Sequence, residues 1–192
     1  MSTKENIKVA ATKLFAERDF LGMTMKEIAN EVGIKAPSVY AFFNGKEDLF
    51  LAIYHDLLDG HLTVVESQSH QHESAKDQLY NILKSAIDFQ YKEELKSKFL
   101  VRLIISPPDF LKEDIRNRFA EMEKGEYDVL YQIFQQGMET SEIGNFNPDH
   151  LAISFQGLMD GLFWEMQRYE VEVMYERMDL MFNQFWRGIE KD

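Results

Sequence analysis

The chain has 192 residues, of which 45% are hydrophobic and 28% charged, a balance that excludes an intrinsically disordered segment. It contains no cysteine, which excludes a disulfide framework and removes any need for an oxidising compartment. A formal net charge of -12 argues against a nucleic-acid partner, which normally leaves a basic footprint. The distribution weakens that argument. Residues 1–50 hold seven Lys or Arg and seven Asp or Glu, so the whole excess of acid lies beyond residue 50. An acidic body would repel non-specific DNA and leave binding to the neutral N-terminal part.

Helical periodicity dominates from the start, and no long period-2 alternation or Asn-Gly hairpin signal occurs, so the fold class expected is all-α. Ile7, Ala10, Ala11, Leu14 and Phe15 recur at helical spacing and predict an amphipathic first helix over about 4–18. Its charged residues interrupt any signal-peptide stretch, and no later run reaches the length of a membrane span, so a cytoplasmic protein without membrane contact is expected. Thr24 and Glu27 form a capping box that opens a second helix. Gly33 supplies the left-handed residue that ends it, and Pro37 suits the first turn of a third. Helix, tight turn and helix follow one another.

Asn44-Gly45 ends the third helix, and a fourth is predicted from Lys46 to about Glu66, followed by the polar loop 67–74. Two further helices are expected over about 75–92 and 95–105. Ser106-Pro107-Pro108-Asp109 combines cap, proline and acid, so a long helix is expected over about 107–139. Asn147-Pro148-Asp149 repeats that logic for a helix to about Tyr169, and a last helix is expected over about 171–189.

The segment TMKEIANEVGIKAPSVYAFFNGKEDLF, with IKVAATKLFAE before it, resembles the DNA-binding head of the tetracycline-repressor (TetR) family. Ile28-Ala29, Val32-Gly33-Ile34, Tyr40, Phe43 and Lys46-Glu47 fall in register over about residues 7–50, roughly a quarter of the chain. The resemblance implies a three-helix helix-turn-helix head, residues 1–46, and a helical ligand-binding and dimerisation body, residues 47–192, with about nine helices in all. The function implied is that of a dimeric repressor on palindromic double-stranded operator DNA, released by a small-molecule effector, with no cofactor. The elementary geometry agrees, because a second helix braced by a first is what the major groove, about 12 Å wide, admits.

Within the head, Ile28, Ala29, Val32, Val39 and Phe43 are expected to form the small core, leaving Lys35, Ala36, Pro37, Ser38 and Tyr40 on the exposed start of the third helix. The resemblance implies DNA contacts from Ser38 and Tyr40 and phosphate contacts from Thr24 and Lys46. Three positions depart from the family pattern: Asp19 replaces a usual glycine, Lys35 a usual serine cap, and Phe42 a usual His or Tyr. With no Asn, Gln or Arg on this helix, Lys35 and Ser38 would carry the polar readout, and Ala36, Pro37 and Ala41 would suit thymine methyls.

Other constellations carry less. His70 and His72 form the closest histidine pair, but they sit in a polar loop without cysteine, so no metal site is expected. No nucleophile elbow, phosphate loop, dinucleotide fingerprint or zinc-protease helix occurs, so an enzyme is not expected. An all-α interaction module that keeps the head as a scaffold is the remaining alternative. The body is rich in Phe, Tyr, Met and Trp, most of it helix-packing core. An apolar effector cavity would use the same residue types, with Phe89, Phe99, Arg102, Tyr127, Tyr131 and Trp164 as candidates. Two apolar stripes, including Phe155, Leu158 and Leu162 on one helix and Met178, Met181, Phe182 and Phe185 on the last, look too wide for one neighbour. The resemblance implies that these helices pair with their symmetry mates, with Gly157 and Gly161 allowing close approach.

Overall fold

The computed structural model describes residues 2–18, 20–69 and 73–191, with Leu21 described by its backbone alone. Nine α-helices account for the architecture among these residues: α1 (Thr3–Glu17), α2 (Met25–Val32), α3 (Ala36–Tyr40), α4 (Lys46–Glu66), α5 (Ala75–Lys92), α6 (Glu94–Ile105), α7 (Lys112–Glu139), α8 (Pro148–Glu165) and α9 (Val171–Arg187). No strand occurs among the described residues. A single antiparallel bridge pairs Ile143 with Glu190. Asp19, His70 and His72 lie outside the described residues.

The helix starts and stops follow local chemistry. Ser2 caps α1 by accepting the Glu5 amide at 3.2 Å, and Asn147 caps α8 by accepting the Asp149 amide at 2.8 Å. The long helix expected from residue 107 begins instead at Lys112, after a 3₁₀ turn over Asp109–Leu111. Ser106 is not its cap but the non-helical residue closing α6, at φ -142° and ψ 68°. Each of the two prolines disfavours helical backbone in the residue before it, which drives Ser106 and Pro107 out of any helix. The helix expected to reach Tyr169 stops at Glu165, where the amides of Gln167 and Arg168 tighten onto Trp164 and Glu165 carbonyls three residues back.

The chain divides into two compact units. One comprises residues 1–59 with 93–119, the other residues 60–92 with 120–192. In the first, α1 packs against both α2 and α6. Phe15, Phe50 and Phe99 are buried, with ring centroids 4.7 Å apart for Phe15–Phe50 and 5.1 Å for Phe50–Phe99. Burying each such side chain stabilises by about 1.5–3 kcal/mol. The head core expected from the pattern is present in Ile28, Ala29, Val39 and Phe43, all buried, while Val32 is only half-buried and Met23 and Met25 complete the core.

In the second unit, Leu79, Leu130, Phe134, Phe155, Met178 and Phe182 lie within one buried cluster built from α5, α7, α8 and α9. Phe155 meets Phe134 edge-on at 6.0 Å and Phe185 at 5.4 Å. Gly137 is required by closeness: a Cβ there would lie 2.6 Å from Ile143 Cδ1 and 2.8 Å from Ala75 Cβ.

Candidate nucleic-acid interface

The interface is assembled from the first turn of α2 outward. Thr24 Oγ1 accepts the Glu27 amide at 3.3 Å, and the Glu27 carboxylate accepts the Thr24 amide at 2.8 Å, completing the capping box. The Thr24 hydroxyl also donates to Glu27 Oε2 at 3.0 Å. These bonds from Thr24, with a further one from Arg18, hold the Glu27 carboxyl below its usual range. At the other end Gly33 sits at φ +76°, its amide bonding to the Asn30 carbonyl at 3.1 Å while the Ile34 amide reaches Ala29 at 2.9 Å. That double closure turns the chain sharply into α3.

Two ion pairs fix α2 on α1: Lys13 to Glu31 at 2.7 Å and Arg18 to Glu27 at 2.9 Å. The hydrogen bond to Glu31 raises the Lys13 pKa, and its counterpart lowers that of Glu31. Neither pair was anticipated from the sequence, although Glu27 and Glu31 at i, i+4 are the spacing that aligns two acids along one helix face.

In α3, Val39 is fully buried and accepts the amides of Phe42 and Phe43 at 3.0 and 3.1 Å. Fixing that one residue inward aims the rest outward. Lys35, Pro37, Ser38 and Tyr40 are exposed, Ala36 is half-buried, and Tyr40 and Phe42 stand 54% and 43% exposed, large for aromatic residues of a small head. Five of the seven expected DNA-contact residues thus share one short helix and its cap. Thr24, also exposed, opens the neighbouring helix. Lys46 stands apart: its ammonium donates to the carbonyl oxygens of Phe20 at 2.6 Å and Met23 at 2.9 Å, and lies 4.2 Å from the centre of the Phe20 ring.

The expected effector residues are divided between the two units. Phe99 is packed in the aromatic core of the first unit and Arg102 is exposed there. Phe89, Tyr127, Tyr131 and Trp164 belong to the second unit. The Tyr127 phenol donates to Asp149, which pushes its pKa up to about 12, and its ring lies 6.2 Å from that of Tyr131. Phe89 is half-buried, and Trp164 is exposed, stacked edge-on against Phe163. Periodicity assigns a helical residue to a face but cannot say which neighbour that face meets.

The expected dimer residues differ in how far their own chain covers them. Phe155, Leu162, Met178 and Phe182 are buried within their own chain, while Leu158, Met181 and Phe185 are half-buried. The surface of α8 and α9 left uncovered carries Ile153, Gly157 and Trp164 on one helix and Val173 and Leu180 on the other, Leu180 being 72% exposed. These stripes are wide because α8 and α9 each bury one apolar face inside the unit and expose a second, and the two faces overlap in the sequence pattern.

Residues 7–53 match the family described as bacterial regulatory proteins, tetR family. The chain is 22% identical over 177 residues to the probable HTH-type transcriptional regulator YttP of Bacillus subtilis, covering 91% of this chain and 83% of that protein. It is 19% identical over 134 residues to the fatty acid metabolism regulator protein of the same organism, covering 70% and 67%. Among solved structures, a transcriptional regulator from Cytophaga hutchinsonii superposes with a TM-score of 0.72 at 23% identity, covering 97% of this chain and 98% of that one. The fatty acid degradation regulator FadR of Bacillus halodurans superposes with a TM-score of 0.75 at 15% identity over 95% of both chains. With the capping box, the left-handed glycine turn and the outward α3 all in place, residues 7–53 form an N-terminal helix-turn-helix DNA-binding domain of the tetR type.

Proposed function

We propose that the protein is a homodimeric repressor that binds palindromic operator DNA through α3 and is released by a small-molecule effector bound in the body, with residues 1–46 as the DNA-binding part and 47–192 as the ligand-binding and dimerisation part. The observation that carries the reading is the exposure of Lys35, Pro37, Ser38 and Tyr40 on a helix whose Val39 and Phe43 are buried. Lys35 and Ser38 read base edges, Ala36 and Pro37 meet thymine methyls, Tyr40 lies on a phosphate, and Thr24 reaches another from the start of α2. A two-fold dimer presents two such helices about one helical turn of DNA apart (~34–36 Å), which calls for a palindrome. Partnering on the dimer side falls to the uncovered face of α8 and α9 around Gly157 and Leu180. No described helix is long and apolar enough to cross a membrane, and the protein acts in the cytoplasm in this reading.

The effector must bind the DNA-incompetent arrangement more tightly than the competent one, since equal affinity shifts nothing. Coupling of about 1–3 kcal/mol, roughly 5–150-fold in affinity, suffices. Two relatives are named as regulators of fatty acid metabolism or degradation, so acyl compounds are the first to titrate.

The test is selection of duplexes from a random library, followed by gel shift with the wild type and a Lys35→Ala, Tyr40→Ala double variant. A selected palindrome bound at least tenfold more weakly by the variant supports the reading. Equal affinity of the two proteins, or selection of no sequence at all, defeats it.

A further inference from the structure

The outward side of α3 offers few groups that can form a hydrogen bond to a base. Helical backbone runs on past Tyr40: Ala41 keeps φ -69° and ψ -18°, and the Phe43 amide closes onto the Val39 carbonyl at 3.1 Å, four residues back. At 3.6 residues per turn, Pro37, Ser38 and Ala41 share the side opposite the buried Val39 and Phe43. Tyr40 and Phe42 flank that side on its two edges, and both are exposed.

No Arg, Asn or Gln lies between Lys35 and Phe43, so the bidentate pairings that single out guanine or adenine are missing from this helix. Asn44, the first amide side chain past the helix, donates to Asp48 at 3.0 Å, and the same carboxylate oxygen takes the Asn44 backbone amide at 2.8 Å. Lys35 brings a point charge and Ser38 one hydroxyl, which donates to or accepts from any base. What remains outward is apolar. From Pro37 through Ala41 to Phe42 it forms a ridge about 7.5 Å long at 1.5 Å rise per residue. That exceeds two base steps of about 3.4 Å each. The apolar group by which the major groove tells one base pair from another is the thymine C5-methyl.

We propose that methyl groups carry most of the sequence readout of α3, and that Phe42 is a further specificity-determining residue whose ring packs on a thymine C5-methyl beside those met by Pro37 and Ala41. Each half-site therefore presents adjacent thymines to the ridge. The inference deepens the DNA-binding reading above and rests on it. Tyr40 and Phe42 face opposite walls of the groove, one with a hydroxyl for a phosphate and the other with a ring for a methyl. A hydrogen-bond donor at position 42 would tie that edge of α3 to the DNA backbone and carry no sequence information. A phenyl ring has no donor, which turns the position from anchoring to reading.

Replacing thymine by uracil removes the methyl and leaves every hydrogen-bonding group of the base in place. In the palindrome selected by the wild type, single uracils in one half-site weaken binding about fourfold for each methyl lost at the adjacent positions under the ridge, the worth of one buried CH₂. In Phe42→Ala one of these uracil effects vanishes and the others stay. The slope of log K against log[salt] keeps its wild-type value, since no phosphate contact is lost. At the position where the effect vanishes, 5-methylcytosine restores the methyl on a different hydrogen-bonding edge, so the wild type binds it more tightly than cytosine and Phe42→Ala does not. The uracil series on the wild type needs no variant and judges the methyl readout by itself. A selected half-site without adjacent thymines, equal affinity for thymine and uracil duplexes, or a Phe42→Ala protein that loses as much as the wild type at every uracil overturns the proposal and leaves the DNA-binding reading standing. Selection of no duplex by the wild type defeats both.

Discussion

Tyr80 on α5 donates a hydrogen bond to Asp179 on α9 at 2.8 Å, and Tyr175 on α9 returns one to Asp88 on α5, so the two helices are laced by reciprocal phenol–carboxylate pairs. A third link, from the Tyr91 hydroxyl to the Tyr169 carbonyl at 2.7 Å, closes the far end of α5 onto the segment before α9. Hydrogen bonding to Asp88 pushes the Tyr175 pKa up to about 12, and bonding to Asp179 raises that of Tyr80. A folded-state value above the unfolded one means that each phenol contributes stability in full below about pH 10. That contribution is lost as pH rises toward about 12 for Tyr175. Tyr175→Phe and Tyr80→Phe should each cost about 0.5–1.5 kcal/mol at neutral pH. Thermal melts should then fall by roughly 2–4 °C per kcal/mol, and the double variant should lose part of the alkaline destabilisation seen in wild type. Melting temperatures indistinguishable from wild type would show that the seam is held by packing alone.

Gly33 tests the turn itself. A Cβ at this position would meet nothing within 4 Å, so the cost of Gly33→Ala comes from the backbone at φ +76° and not from a clash. A cost of about 1–2 kcal/mol in urea unfolding is expected, with Gly33→Asn milder because Asn tolerates the left-handed region. A cost near zero for Gly33→Ala would mean that the helix-turn-helix relaxes to another turn.

A cluster of acids joins three helices of the second unit. His61 on α4 has its Nε2 3.3 Å from Glu126 Oε1 on α7, with Glu123 a turn earlier and Asp160 on α8 beside them. Burial, and then the Asp160 and Glu126 charges, raise the Glu123 pKa. Burial and the Glu126 charge raise that of Asp160, against the opposing influence of His61. Raised carboxyl values in the folded state make a stabilising contribution that is complete below the unfolded pKa and lost as pH rises through the folded one. Asp160→Asn and Glu123→Gln should therefore raise the melting temperature at pH 7.5 and make little difference near pH 4, as followed by circular dichroism. Destabilisation of both variants at pH 7.5 would show that the charged carboxylates are held by partners that outweigh their repulsion.

The outer and inner faces of α9 should answer differently to substitution. Phe182 is 1% exposed, and Phe182→Ala should cost about 3–5 kcal/mol by leaving a cavity. Leu180, pointing outward, should tolerate Leu180→Glu with little change in protomer stability and a shift from dimer to monomer in sedimentation velocity. A Leu180→Glu protein that sediments as the wild type would place the dimer surface elsewhere.

Much of the head was legible in the sequence because its determinants are local. A capping box spans four residues, a left-handed glycine needs only its own φ, and a proline-directed helix start is read from neighbouring positions, so Thr24–Glu27, Gly33 and the outward Lys35, Pro37, Ser38 and Tyr40 follow from spacing alone. The same locality explains the one misplaced start: two prolines in a row constrain the residues before them more strongly than the serine cap favours a helix, and α7 begins five residues late. What only the tertiary structure decided involves pairs distant in the chain. For Lys46 the resemblance implied a phosphate contact, and nothing local showed that the carbonyls of Phe20 and Met23, 26 and 23 residues earlier, would meet its ammonium. That Phe99 meets Phe15 was decided by the packing of α6 on α1. The inner and outer apolar faces of α8 and α9 were inseparable in a one-dimensional pattern, because hydrophobicity records that a side chain avoids water and not which surface covers it.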